Sequence, residues 1–224
     1  MSPWTLLTLL AMIGFGGWGL RRYRRSARHA YLQSYGFPSR LHKVVLDRYP
    51  HLDEAQARQV IAALRQYFRM CQIGGRRNIA MPSQVVDIAW HEFIVFTQLY
   101  RRFCRRAFGR FLHHTPAEAM STPQIAQRGI HNAWRLACRL EGINSKHPDR
   151  LPTLFAMDAL FDIPDGFHYV INCHNMPRNS GDGPLYCASA IGCGSGCGTG
   201  CGTGCSNGDS GCGSSCGSGC GGGD

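Results

Sequence analysis

The sequence lacks the motifs that announce a common chemistry. It has no G-x-S-x-G elbow, no Walker loop and no dinucleotide fingerprint. His91-Glu92 is followed by Phe-Ile-Val, so the zinc-protease spacing is missing too. Acidic residues are scarce, 14 against 24 Lys and Arg, which leaves a net charge of +10. Only one stretch, Pro3–Leu20, is long and free of charge, which excludes a polytopic transporter. No Lys or Arg precedes that stretch, so it has the wrong polarity for a secretory signal peptide.

What is present is uneven. The chain has 28 glycines and 12 cysteines, and residues 192–224 hold 15 and 7 of them. Without that tail and the apolar N-terminus enough chain remains to bury a real core. Three parts are expected: an anchor with its basic flank over 1–28, a helical domain over 29–190, and a low-complexity Gly/Cys tail over 191–224.

Eighteen helical residues rise about 27 Å, close to the roughly 30 Å hydrocarbon core of a bilayer. Trp4 and Trp18 sit near the ends of Pro3–Leu20, where amphipathic rings favour the interface. Five arginines follow within Arg21–Arg28. The positive-inside rule then predicts a single-pass inner-membrane protein, N-terminus outside, with domain and tail cytoplasmic. Residues 1–110 carry 18 Lys and Arg against 5 acids. Anionic lipid headgroups near Arg21–Arg28 account for this charge more simply than nucleic acid, because no nucleic-acid motif accompanies it.

The remaining pattern is mainly α. Ser39 caps a short helix to Arg48, closed by Pro50. Asp53 caps another to about Gln72, stopped by Gly74-Gly75. Ser83 starts the longest predicted helix, running to about Phe108 with Gly109 as its terminator. Trp90, Phe93, Phe96, Tyr100 and Phe103 give it a wide apolar stripe, so Trp90 and Phe96 are expected in the core. Further helices are predicted from Thr122-Pro123 to Leu140 and from Pro152 to about Phe161. Phe167–Ile171 is the one strand-like run, too little for a sheet.

Within Pro82–Pro116, Val86-Asp87, Trp90-His91, Tyr100, Cys104, Gly109 and His113-His114-x-Pro116 form the most distinctive segment. It resembles the glycine-rich domain-containing protein-like family of plants and bacteria, which implies no established activity. Phe93 stands where that family commonly has a second His.

Two candidate metal sets follow. Asp87 and His91 are four apart and share one helix face. If the chain turns back after Gly109, His113 or His114 can join them, a set suited to zinc or another transition metal. Against this, Gln98, Arg102 and Arg105 share the same polar edge, as expected of an ordinary structural pair. The second set is the tail thiols Cys193, Cys197, Cys201, Cys205, Cys212, Cys216 and Cys220. Cys71, Cys104 and Cys138 lie on apolar helix faces and read as core residues. Cys187 and Cys173 remain open as a disulfide or a metal pair. The leading functional reading is a non-enzymatic scaffold or binding module. The alternatives are metal handling by the tail thiols and a metal-dependent enzyme built on Asp87, His91 and His113 or His114.

Overall fold

A computed structural model describes residues 3–114, 123–171, 185–188 and 191, with the side chains of 6–10, 123–126 and 185 outside that set. The tail and its seven cysteines lie outside the described residues. The described chain is mainly helical, as expected. Its order is α1 (Pro3–Ser34), α2 (Arg40–Arg48), α3 (Glu54–Gly74), α4 (Gln84–Val95), α5 (Thr97–Phe108), α6 (Pro123–Glu141), α7 (Thr153–Leu160), β1 (His168–Val170) and β2 (Leu185–Cys187).

Helix α3 is the central element. Asp53 and Gln56 close a reciprocal capping box at its start, with each side chain bonded to the other residue's backbone N–H at 2.7 and 2.8 Å. Gly75 ends it at φ 65°, a left-handed value that favours glycine. Leu64, Tyr67, Phe68 and Met70 are buried along it, and α1, α2, α4, α5, α6 and α7 all pack against it. Phe68, Phe93 and Phe103 meet with ring centroids 5.0–6.3 Å apart, and Tyr35 and Phe37 close the cluster from the α1–α2 loop. Ser39 begins α2 without a side-chain cap, because its own backbone is already helical.

The single helix expected over 83–108 is two. Phe96 leaves the helical region at ψ 61°, ending α4 and opening α5. Its ring is therefore only partly buried, whereas Trp90 is fully enclosed. Across the break Phe93 of α4 and Phe103 of α5 both pack on Phe68, and Tyr100 of α5 packs edge-on against Phe93.

The expected membrane span is not met: among the described residues no helix is long and apolar enough to cross a membrane. Glycines at 14, 16, 17 and 19 thin its apolar surface, and α1 runs straight on through the arginines to Ser34. Its C-terminal end is docked. Leu32 is buried, and the Arg65 guanidinium donates to the carbonyls of Leu32, Gln33 and Tyr35, the partially negative end of the helix. The predicted strand finds a partner that sequence reading missed. β1 pairs in parallel with β2, Tyr169 opposite Tyr186. Cys187 in β2 is disulfide-bonded.

Candidate metal centre

The site is built where α4 meets the segment after α5. Helix α4 is fixed at its first turn by one buried carboxylate. Asp158 of α7 accepts from the Ser83 hydroxyl at 2.7 Å and from the backbone N–H of Gln84 at 2.7 Å and Val85 at 3.2 Å. It also accepts from Phe167 N–H at 2.8 Å, which ties in the loop before β1. A helix N-terminus offers unsatisfied N–H groups and a positive dipole end, so a carboxylate belongs there. Burial still pushes the Asp158 carboxyl above its ordinary value, against these four bonds. Sequence reading passed over Asp158. Its signal was a lone acid within the otherwise apolar TLFAMDAL helix.

One turn further along α4 come Asp87 and His91. Their i,i+4 spacing puts the carboxylate Oδ2 3.4 Å from His91 Nδ1. The third member arrives from beyond α5. Gly109, at φ 71°, closes α5 in the left-handed conformation and turns the chain back. A side chain there would also have to displace the flexible Arg28 guanidinium. Trp90 Nε1 then donates to the Tyr100 hydroxyl at 3.1 Å, and Tyr100 donates to the Leu112 carbonyl at 2.7 Å. This buried relay fixes residue 112 against α4 and so sets the position of residue 114.

His114 Nε2 lies 3.7 Å from Asp87 Oδ1, and the His91 and His114 rings meet edge to face at 4.3 Å. The ligand atoms of Asp87, His91 and His114 all fall within 4.8 Å of one another. The neighbouring His113 points elsewhere: it is exposed, and its ring packs on Phe111. Structure thus separates the two adjacent histidines that sequence left open.

Neither distance is a good hydrogen bond. The contact to Asp87 is not an ion pair either, because burial, helped by the facing His91, pushes the His114 pKa down to about 4. His114 is a neutral imidazole at neutral pH. Its Nε2 is buried and has no hydrogen-bond partner among the described residues. The neutral imidazole is the form in which a His binds a metal ion. Around a tetrahedral ion, bonds of about 2.1 Å place neighbouring ligand atoms about 3.4 Å apart. The measured 3.4 and 3.7 Å match that spacing better than they match hydrogen bonding. His91 is the exposed member of the three.

A cavity of about 270 Å³ adjoins the centre, sharing His114 and Trp90 as wall. Its floor includes Tyr67, whose hydroxyl donates to the Ile79 carbonyl, and Cys71, whose thiol burial pushes up to about 12. That thiol stays protonated and inert.

The profile of the UCP032817-like family matches residues 27–191, and the chain belongs to this uncharacterised family. The match spans the whole region from the end of α1 to Ile191. It does not carry the glycine-rich-domain name that the Pro82–Pro116 motif suggested. No curated protein matches the chain. No solved structure matches it.

Proposed function

We propose that this domain binds one divalent transition-metal ion through Asp87, His91 and His114. The observation that carries the reading is the buried His114 Nε2, neutral, without a hydrogen-bond partner among the described residues, and 3.7 Å from a carboxylate oxygen. Two imidazoles and one carboxylate suit Zn²⁺ or Fe²⁺ and leave coordination positions open for water or a substrate. A metal-dependent binding module or enzyme therefore ranks above a scaffold without chemistry. The test is elemental analysis and zinc titration of the full chain and of a chain lacking residues 192–224. One tight equivalent is expected in both, lost in Asp87→Asn and His114→Ala and kept in His113→Ala. Metal that disappears only when the tail is removed would move the function to the tail thiols.

A second reading concerns location. The N-terminal part of α1 leaves Trp4, Met12, Ile13, Phe15 and Trp18 exposed, Trp4 and Phe15 at 76% and 75%. Arginines 21, 22, 24 and 25 follow directly. We propose that this segment attaches the domain to an anionic lipid surface, its rings among the acyl chains and its arginines at the headgroups. Sedimentation with vesicles containing phosphatidylserine, against purely zwitterionic ones, checks it. Equal sedimentation with both kinds of vesicle, or with neither, sinks the idea.

A further inference from the structure

We propose that the cavity beside the candidate metal centre is a binding site for a small phosphomonoester, its phosphate held by Arg76, Arg77 and Arg110. Three guanidinium groups line one cavity, and among the described residues no Asp or Glu lines it with them. Among the described residues none of the three has a carboxylate partner. Among the described residues that leaves three guanidiniums without a carboxylate around one opening, a focused field that favours an anion.

The arginines come from two places. Arg76 and Arg77 stand in the exposed turn that follows Gly75, at the end of α3. Arg110 follows the left-handed Gly109 and is only half-exposed. Its guanidinium is held by donation to the carbonyls of Gly75 and, at 3.2 Å, Phe111. Those contacts use two of its five N–H groups and aim the planar fork, so little rotamer freedom remains to be lost on binding. Gly75 is thereby bridged to residue 110, and both arginine-bearing turns are held at the same opening.

The charge count selects the ligand. A carboxylate carries one charge and two acceptor oxygens, too few for three guanidiniums. A phosphate monoester is close to a dianion at neutral pH and offers three acceptor oxygens, which suits paired guanidinium forks. The volume selects its size. About 270 Å³ lies at the small end of ligand sites, below what a dinucleotide needs. The inner wall is less polar: Ile79, Met81, Trp90 and Leu112 give the organic body an apolar face. His114 stands on that wall, so a ligand anchored at the arginines reaches toward the metal ligands.

Phosphate capture does not rest on the metal. It is read by calorimetry on the full chain with a chelator present, using glycerol 3-phosphate and inorganic phosphate as probes and glycerol and acetate as controls. Saturable binding of both phosphates is expected, with the ester the tighter and the controls silent. The double variant Arg76→Gln/Arg77→Gln alters exposed side chains only and should weaken binding at least tenfold. Arg110→Gln should do the same, but it also frees the Gly75 carbonyl, so the double variant is decisive. Arg135→Gln, an exposed charge on α6 away from the cavity, should bind like the parent. Absence of saturable binding overturns the site. So does an equal loss in Arg135→Gln, which would mean general charge attraction. Equal binding of acetate overturns the phosphate assignment. Asp87→Asn should leave phosphate binding intact; binding seen only when the chelator is omitted and zinc is present, and lost in Asp87→Asn, would place the anion on a metal rather than on the arginines. A failed zinc titration with phosphate binding retained separates the two readings.

Discussion

His114 is neutral because of where it sits, and that has a pH signature. In the unfolded chain a His titrates near 6.5; in the folded protein His114 is pushed down to about 4. Between those values the unfolded state holds a proton that the native state does not. Stability of the metal-free protein is therefore complete above about 6.5 and falls as the pH drops toward 4. The ceiling on this loss is roughly 3 kcal/mol. Urea midpoints of chelated protein at pH 7.5 and 4.5 measure it, and His114→Gln should flatten the difference. Tyr100 is the second residue to test. Tyr100→Phe keeps the ring but leaves the Leu112 carbonyl and the Trp90 N–H without their buried partner. It should cost about 1–3 kcal/mol. Zinc affinity should fall by roughly tenfold, as for other supports of a metal ligand. A loss of stability with zinc affinity unchanged would show that the relay does not position His114. At this scale the sequence was informative where spacing was local. Asp87 and His91 share a face by arithmetic alone, whereas the choice between His113 and His114 depends on a turn whose outcome neighbouring residues do not encode.

Helix ends carry most of what was legible at the scale of elements. Asp53 with Gln56, Gly75, Gly109 and Pro152 each mark a boundary through their own backbone chemistry, and the structure places ends there. The break at Phe96 has no such marker. No Gly or Pro stands there, the apolar stripe runs through it, and the mutual packing of Phe68, Phe93 and Phe103 decides it. β2 was missed for a related reason: three residues pair with a strand well upstream, and parallel pairing leaves no turn signal between them. Asp158 joins elements in the same non-local way. Asp158→Ala should destabilise by about 3–5 kcal/mol, since it strands several buried donors at once. Asp158→Asn should be nearly as costly, because its NH₂ would face N–H groups that need an acceptor. Thermal melts of both variants check this, and an Asn variant close to the parent would show that the charge and second oxygen are unimportant. Gly109→Ala should cost about 1–2 kcal/mol from the left-handed backbone alone.

For the whole molecule, the aromatic centre and the N-terminal helix should separate experimentally. Trp90→Ala removes a fully enclosed ring that packs on Tyr67 at 4.9 Å and should cost about 3–5 kcal/mol. Removal of residues 1–24 takes away mostly exposed surface while keeping Leu32 and the Arg65 contacts. That chain should melt within a degree or two of the parent and lose its vesicle sedimentation. A large drop in melting temperature would show that the exposed rings pack on something in the folded protein.

The return of the chain after Gly109 makes the candidate centre a clasp between distant parts of the sequence. Two ligands ride on α4 and the third lies beyond α5, so an ion bound to all three closes a loop around the whole of α5. Closing such a loop removes freedom from the unfolded chain, and it tethers residues 110–114 to a rigid helix. Proteolysis therefore reports on the ion without any assay of activity. Trypsin cleavage after Arg110, at the edge of the tethered segment, should slow when zinc is added and recover when it is chelated. His114→Ala should be cut at one rate in both conditions, slow or fast, because the clasp has lost the half that does not belong to α4.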